Sequence, residues 1–179
     1  EIVDRETQRI PHLDFPALTA GRTQIEDHTP ELAKAFELAS DLTDEVLEAS
    51  ALVIATPMYN WGPPSSLKAW IDRIINIKTF YRESPALAGL PITFIVASGG
   101  RYTTEDMAPH DHLRPWLVEC FTRIGASPED LTFIDCDPTG PLDRGVADHL
   151  DEDSGWTRAL AQADEAALRS RTLPAPQAS

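Results

Sequence analysis

The residues whose types could do chemistry gather in two short loops. The first is Pro57-Met58-Tyr59-Asn60-Trp61, set between the apolar run Ala51–Thr56 and a Pro63-Pro64-Ser65-Ser66 step. Tyr59 and Trp61 offer flat aromatic surface, and Asn60 offers both donors and an acceptor. The second is Ala97-Ser98-Gly99-Gly100-Arg101-Tyr102, at the end of the apolar run Pro91–Ala97. Gly99 and Gly100 lack side chains where a ligand edge would approach the backbone, and Tyr102 is placed to lean over that edge. Each loop also has a plain reading: a packed turn with its aromatics in the core, and an ordinary glycine turn. Their occurrence after consecutive strands favours a shared site, because open α/β sheets bind ligands at the carboxyl ends of their strands. A flat aromatic ligand suits such a pair.

The elements that would position these loops alternate. Glu1–Asp4 is short and reads as the end of a strand, and Pro11–Gly21 reads as a loop with two prolines. Leu32, Ala35, Phe36, Ala39, Leu42 and Val46 mark one face of a helix over 30–50, with Thr29 as N-cap and Pro30 at its first position. Ala51–Thr56 reads as a strand buried on both faces. A helix from Pro64 to about Ile77 turns Leu67, Trp70, Ile71, Ile74 and Ile75 inward. Pro91–Ala97 is a strand, His110–Ile124 a helix closed by Gly125, Leu131–Cys136 a strand, and Ser154 to about Arg169 a terminal helix. Strand and helix alternating four times predicts an α/β fold with a parallel sheet and right-handed crossovers. The expected organisation is a single domain over 1–171, followed by a polar, proline-containing tail, 172–179, expected to be disordered.

Composition narrows the function classes. The chain has 179 residues and a net charge of −14. So acidic a surface argues against nucleic acid or an anionic membrane as partner, since phosphate contacts need a basic face. No apolar run reaches the length of a membrane span and no signal peptide is visible. Cys120 and Cys136 lie in apolar-patterned segments and are expected to be reduced core residues of a cytoplasmic protein.

Other motifs carry less. Asp135-Cys136-Asp137-Pro138-Thr139 follows an apolar strand and resembles the nucleophile motif of haloacid-dehalogenase-type phosphatases, but the lysine and acidic motifs those enzymes need downstream do not follow. The alternative is a solvated loop carrying Asp135, Asp137 and Asp143. The stretch also fails as a calcium loop, because Val146 stands where a bidentate glutamate is needed. His110-Asp111-His112 places its histidines two apart, off a common helical face, so exposure or capping by Asp111 is expected rather than metal binding. No metal site, Ser/His/Asp triad or protein acid–base group is assigned.

The two loops resemble those of the FMN-dependent NADH:quinone oxidoreductase and azoreductase family. The Pro57–Trp61 loop with Ser65-Ser66-Leu67-Lys68, and Ser98-Gly99-Gly100 with a ring at Tyr102, carry the likeness. Arg9-Ile10-Pro11-His12-Leu13-Asp14 and the stretch from Leu113 through Gly125 to Leu131-Thr132-Phe133-Ile134 extend it. The resemblance implies a flavodoxin-like three-layer sandwich that binds FMN and passes two electrons, by a ping-pong mechanism, from NADH or NADPH to quinones or azo compounds. It further implies a homodimer with substrate near the subunit interface. On this reading the cofactor-binding residues are Pro57, Met58, Tyr59, Asn60, Trp61, Ala97, Ser98, Gly99, Gly100 and Tyr102. Two departures stand out. The family usually has Ser-Arg-Gly-Gly where this chain has Ala97-Ser98-Gly99-Gly100, and its opening strand and serine-rich phosphate loop do not occur before Glu1. The expectation is that the chain is a fragment, or that another segment supplies the strand; without the phosphate loop, FMN affinity should fall steeply. The alternative is a non-enzymatic flavodoxin-like binding module lacking a working phosphate site.

Overall fold

The computed structural model describes residues 10–80, 85–139 and 155–170. Glu1–Asp4, the tail 172–179, Asp143 and Val146 lie outside them. The chain divides into two compact units. One comprises 1–50, 64–90 and 116–128, and the other 51–63, 91–115 and 129–179.

The first unit is helical among its described residues. Its elements are α1 (Phe15–Arg22), α2 (Pro30–Glu48), α3 (Ser65–Ile74) and most of α4 (Arg114–Arg123). The segment expected to be a loop over 11–21 is instead largely α1. Asp14 accepts the Ala17 N–H at 2.9 Å, and Pro16 stands in the first turn, where a missing N–H costs nothing. Two prolines that look like breakers thus flank and open a helix. In α2 the Thr29 hydroxyl accepts the Leu32 N–H, and Phe36, Ala39, Leu42 and Val46 are buried as the spacing predicts. α3 buries Leu67, Trp70, Ile71 and Ile74; Ile75 follows its end and is only half-buried. Trp70 and Phe121 pack with ring centroids 6.4 Å apart. Buried Arg73 donates to the carbonyls of Pro11 and His12 at 3.1 and 3.2 Å, which fixes the approach to α1.

α4 begins at Arg114, four residues later than the sequence suggests, after a 3₁₀ turn at Ala108–His110. Its end is a Schellman closure. The Ala126 N–H reaches the Phe121 carbonyl at 3.0 Å and the Gly125 N–H reaches Thr122 at 3.1 Å, with Gly125 at φ +103°.

The second unit holds a parallel sheet of β1 (Leu52–Pro57), β2 (Ile92–Ala97) and β3 (Leu131–Cys136), in that spatial order among the described residues. Register runs Leu52–Ile92–Leu131 at one end and Pro57–Ala97–Cys136 at the other, so all three strands finish level. The terminal helix α5 (Gly155–Ser170) packs on β3, where the Gln162 side chain accepts the Asp135 N–H at 2.7 Å. Phe94 and Phe133 stack across β2 and β3 at 4.8 Å. β1 corrects one expectation. Its burial alternates instead of being complete, and Val53 is 65% exposed. Among the described residues β1 stands at the edge of the sheet.

Candidate functional site

Level strand ends bring three loops to one carboxyl edge of the second unit. The first turns sharply. Tyr59 and Gly62 exchange both backbone hydrogen bonds at 3.0 Å, with Asn60 at φ 49° and Trp61 at φ 65° between them. Both central residues are left-handed, the geometry of a type I′ turn. Asn tolerates that region, but a tryptophan there is strained, and such strain persists only where the surroundings enforce it. Here the enforcing contacts are the Tyr59–Gly62 pair and the His112 N–H, which donates to the Trp61 carbonyl at 3.0 Å.

A chain of polar contacts supports that donor. Asp111 accepts the N–H groups of Leu113 and Arg114 at 2.9 Å and caps α4. Arg114 pairs with Asp135 and lies 4.3 Å over the Phe133 ring. His110 and His112 are exposed, and no metal-holding cluster occurs among the described residues. The capping expectation for Asp111 therefore holds.

The Met58 N–H donates to the Ala97 carbonyl at 2.7 Å, joining the first loop directly to the second. In the second loop Ser98 is 5% exposed and its hydroxyl donates to the Gly100 carbonyl at 2.7 Å. That side chain serves the loop's own shape. A Cβ on Gly99 would meet nothing within 4 Å, whereas one on Gly100 would lie 3.5 Å from the Tyr102 ring. Tyr102 thus sits against the glycine step.

Tyr59 is 61% exposed and Trp61 55%, so the aromatics of the first loop are not core. Pro57, Met58 and Ala97 are half-buried behind them. Among the described residues, the amide N–H groups of Asn60, Trp61, Gly99 and Gly100 donate to no protein acceptor. Exposed rings, four unspent donors and open space beyond Gly99 fit the edge of a flat heteroaromatic ring. The loops themselves offer donors and apolar surface rather than a nucleophile with its base.

The third loop, Cys136–Thr139, was not singled out by sequence as part of this cluster. Asp137 is buried and pairs with Arg158 of α5 at 3.0 Å, so the solvated-loop expectation for Asp135 and Asp137 fails: both carboxylates are engaged by arginines. The Asp137–Pro138 peptide is cis. The one available signal was position, a polar stretch directly after an apolar strand.

Cys120 and Cys136 are free thiols, each half-buried. Burial pushes the Cys120 thiol up to about 11, with Lys68 opposing and Asp72 and Glu119 adding to the rise. Burial, then Asp137, also raises Cys136. A thiol at about 11 leaves Cys120 with about a hundredfold less thiolate at pH 8 than an ordinary cysteine. Native protein at that pH should alkylate with iodoacetamide correspondingly slowly at Cys120, and urea should restore the ordinary rate. Equal rates in both states would contradict the burial. A raised native pKa also means that Cys120 supports the fold below the ordinary thiol pKa and that this support fades as pH rises through about 11.

Comparison with known proteins agrees with this geometry. A family model for a flavodoxin-like fold matches residues 1–152. The chain is 33% identical over 165 residues to an FMN-dependent NADH:quinone oxidoreductase of Frankia alni, covering 90% of this chain and 76% of that protein. It is 34% identical over 146 residues to the protein of the same description in Frankia casuarinae, covering 79% and 68%. Among solved structures, an FMN-dependent NADH-azoreductase of Bacillus anthracis in complex with FMN superposes with a TM-score of 0.72 at 26% identity, over 90% of this chain and 76% of that one. Together with the paired loops on a parallel sheet, these similarities establish that the chain belongs to the FMN-dependent NADH:quinone oxidoreductase family, built on the flavodoxin-like fold.

Proposed function

We propose that this protein is an FMN-dependent oxidoreductase that moves two electrons from NADH or NADPH to a quinone or an azo compound in two successive half-reactions. The observation that carries the reading is the pair of loops tied by the Met58–Ala97 hydrogen bond, with four unspent amides and two exposed aromatic rings on one sheet edge. In this account residues 1–171 act as one flavodoxin-like domain. Asn60, Trp61, Gly99 and Gly100 present backbone donors to the polar rim of the flavin. Pro57, Met58 and Tyr59 shape the ring pocket, Ala97 and Ser98 hold the second loop, and Tyr102 borders the substrate side. FMN supplies the redox chemistry when bound; the protein orients the ring and tunes its electronics through these contacts.

No side chain is assigned as general acid or base. A homodimer is part of the proposal, from the family likeness. A cytoplasmic location also belongs to the proposal; no described helix is long and apolar enough to cross a membrane.

The test is anaerobic. Protein loaded with FMN is mixed with NADH, freed of nicotinamide, then mixed with a benzoquinone while the visible flavin band is followed. Loss of the band in the first step and its return in the second are expected. A band that NADH leaves unchanged, or that the quinone cannot restore, overturns the reading.

A further inference from the structure

We propose that the third loop, through Thr139 and the Cys136 carbonyl, is a positioning clamp for the Gly99–Gly100 loop, and that the Asp137–Arg158 pair ties this clamp to the terminal helix α5. The inference rests on the flavin-binding reading of that loop and adds residues that reading does not use.

The geometry converges on Ser98. Its N–H donates to the Cys136 carbonyl at 3.3 Å. Its carbonyl accepts both the Thr139 N–H at 2.8 Å and the Thr139 hydroxyl at 3.1 Å. Its own hydroxyl is bound to the Gly100 carbonyl. Every polar group of Ser98 is therefore spent, while the next two amides, Gly99 and Gly100, are not. The third loop thus fixes the peptide from which the unspent donors project.

Asp137 is an unusual residue to build into such a clamp. It is 4% exposed, and Arg158 of α5 is its ion-pair partner. Burial, followed by the nearby Asp135, pushes its carboxyl above the ordinary range, against the pull of Arg158 and Arg101. A buried charge that is not fully compensated adds little to stability, and such groups are often kept for the arrangement they impose. The two side chains share one contact, so effects at Asp137 and Arg158 should not add.

The experiment compares wild type with Thr139→Val, Thr139→Ser, Asp137→Asn, Arg158→Met and the Asp137→Asn/Arg158→Met double variant. Two readouts are taken on the full chain: hydrogen exchange of the Ser98 amide, which donates to the Cys136 carbonyl, without ligand, and the FMN dissociation constant by fluorescence titration. Thr139→Val should speed exchange of the Ser98 amide and weaken FMN about fivefold or more, while Thr139→Ser, which keeps the hydroxyl, should behave as wild type. The double variant should bind FMN no worse than the weaker single variant. Exchange unchanged in Thr139→Val and Asp137→Asn overturns the clamp, whatever FMN does. Faster Ser98 exchange in Thr139→Val, together with a wild type that never binds FMN, would leave the clamp standing and overturn the flavin reading instead. Additive losses in the double variant would remove Arg158 from the device.

Discussion

Gly99→Val should weaken FMN binding at least tenfold while leaving the thermal midpoint within about 2 °C of wild type. The two halves of that result have separate causes. Gly99 does not need a left-handed backbone, and a Cβ there meets no protein atom within 4 Å, so the fold has room for the side chain. The same open space is where the flavin edge is proposed to lie. Two methyl groups would then occupy ligand volume and hold the ring away from the amides of Gly99 and Gly100. Tenfold corresponds to about 1.4 kcal/mol, modest for the loss of close backbone hydrogen bonds. Unchanged affinity with unchanged stability would place the ring elsewhere.

Gly125→Ala should act in the opposite sense, on stability. Its φ of +103° is strained for any L side chain, and a Cβ would lie 2.7 Å from the Ala86 nitrogen and from the Cα and Cβ of Pro85. Two of those atoms are backbone, so the chain on one side must move. The Schellman closure of α4 depends on the same conformation. A loss of about 3 kcal/mol or more is expected, lowering the midpoint by roughly 6–12 °C in a thermal melt followed by circular dichroism. Gly89 provides the control. Its φ is +73° but a Cβ there meets nothing within 4 Å, so Gly89→Ala should cost only the backbone term, about 1 kcal/mol. Equal effects at the two glycines would show that backbone conformation, not the close approach to Pro85 and Ala86, sets the cost.

Much of this architecture is visible in the sequence because its signals are local. Continuous apolar runs place β1, β2 and β3 within one residue of their observed limits. Thr29 and Pro30 mark the start of α2, and Gly125 marks the close of α4. The Pro57–Trp61 and Ala97–Tyr102 loops stand out because each follows such a run. α1 is hidden for a local reason too: Pro11 and Pro16 read as loop formers, although Asp14 and Pro16 together open a helix.

Other features depend on partners distant in sequence, and no local pattern announces them. Thr139 meets Ser98 across 41 residues, and Arg158 meets Asp137 across 21. Asp137 therefore looked solvated until its partners were placed around it. The exposure of Val53 is of the same kind, since an apolar run does not say whether its strand lies inside the sheet or at an edge. The strained backbone at Trp61 is likewise invisible in a sequence where Asn-Trp, not Asn-Gly, fills the turn.

The most direct test of the central claim follows single backbone amides. FMN is titrated into uniformly ¹⁵N-labelled protein, and amide shifts and exchange protection are recorded for each residue. The amides of Asn60, Trp61, Gly99 and Gly100 should shift together at one saturable concentration and gain protection, because these four donors are unspent in the free loops. FMN binding that leaves those four amides unmoved, or no binding at all, would contradict the assignment of the flavin ring to this edge of the sheet.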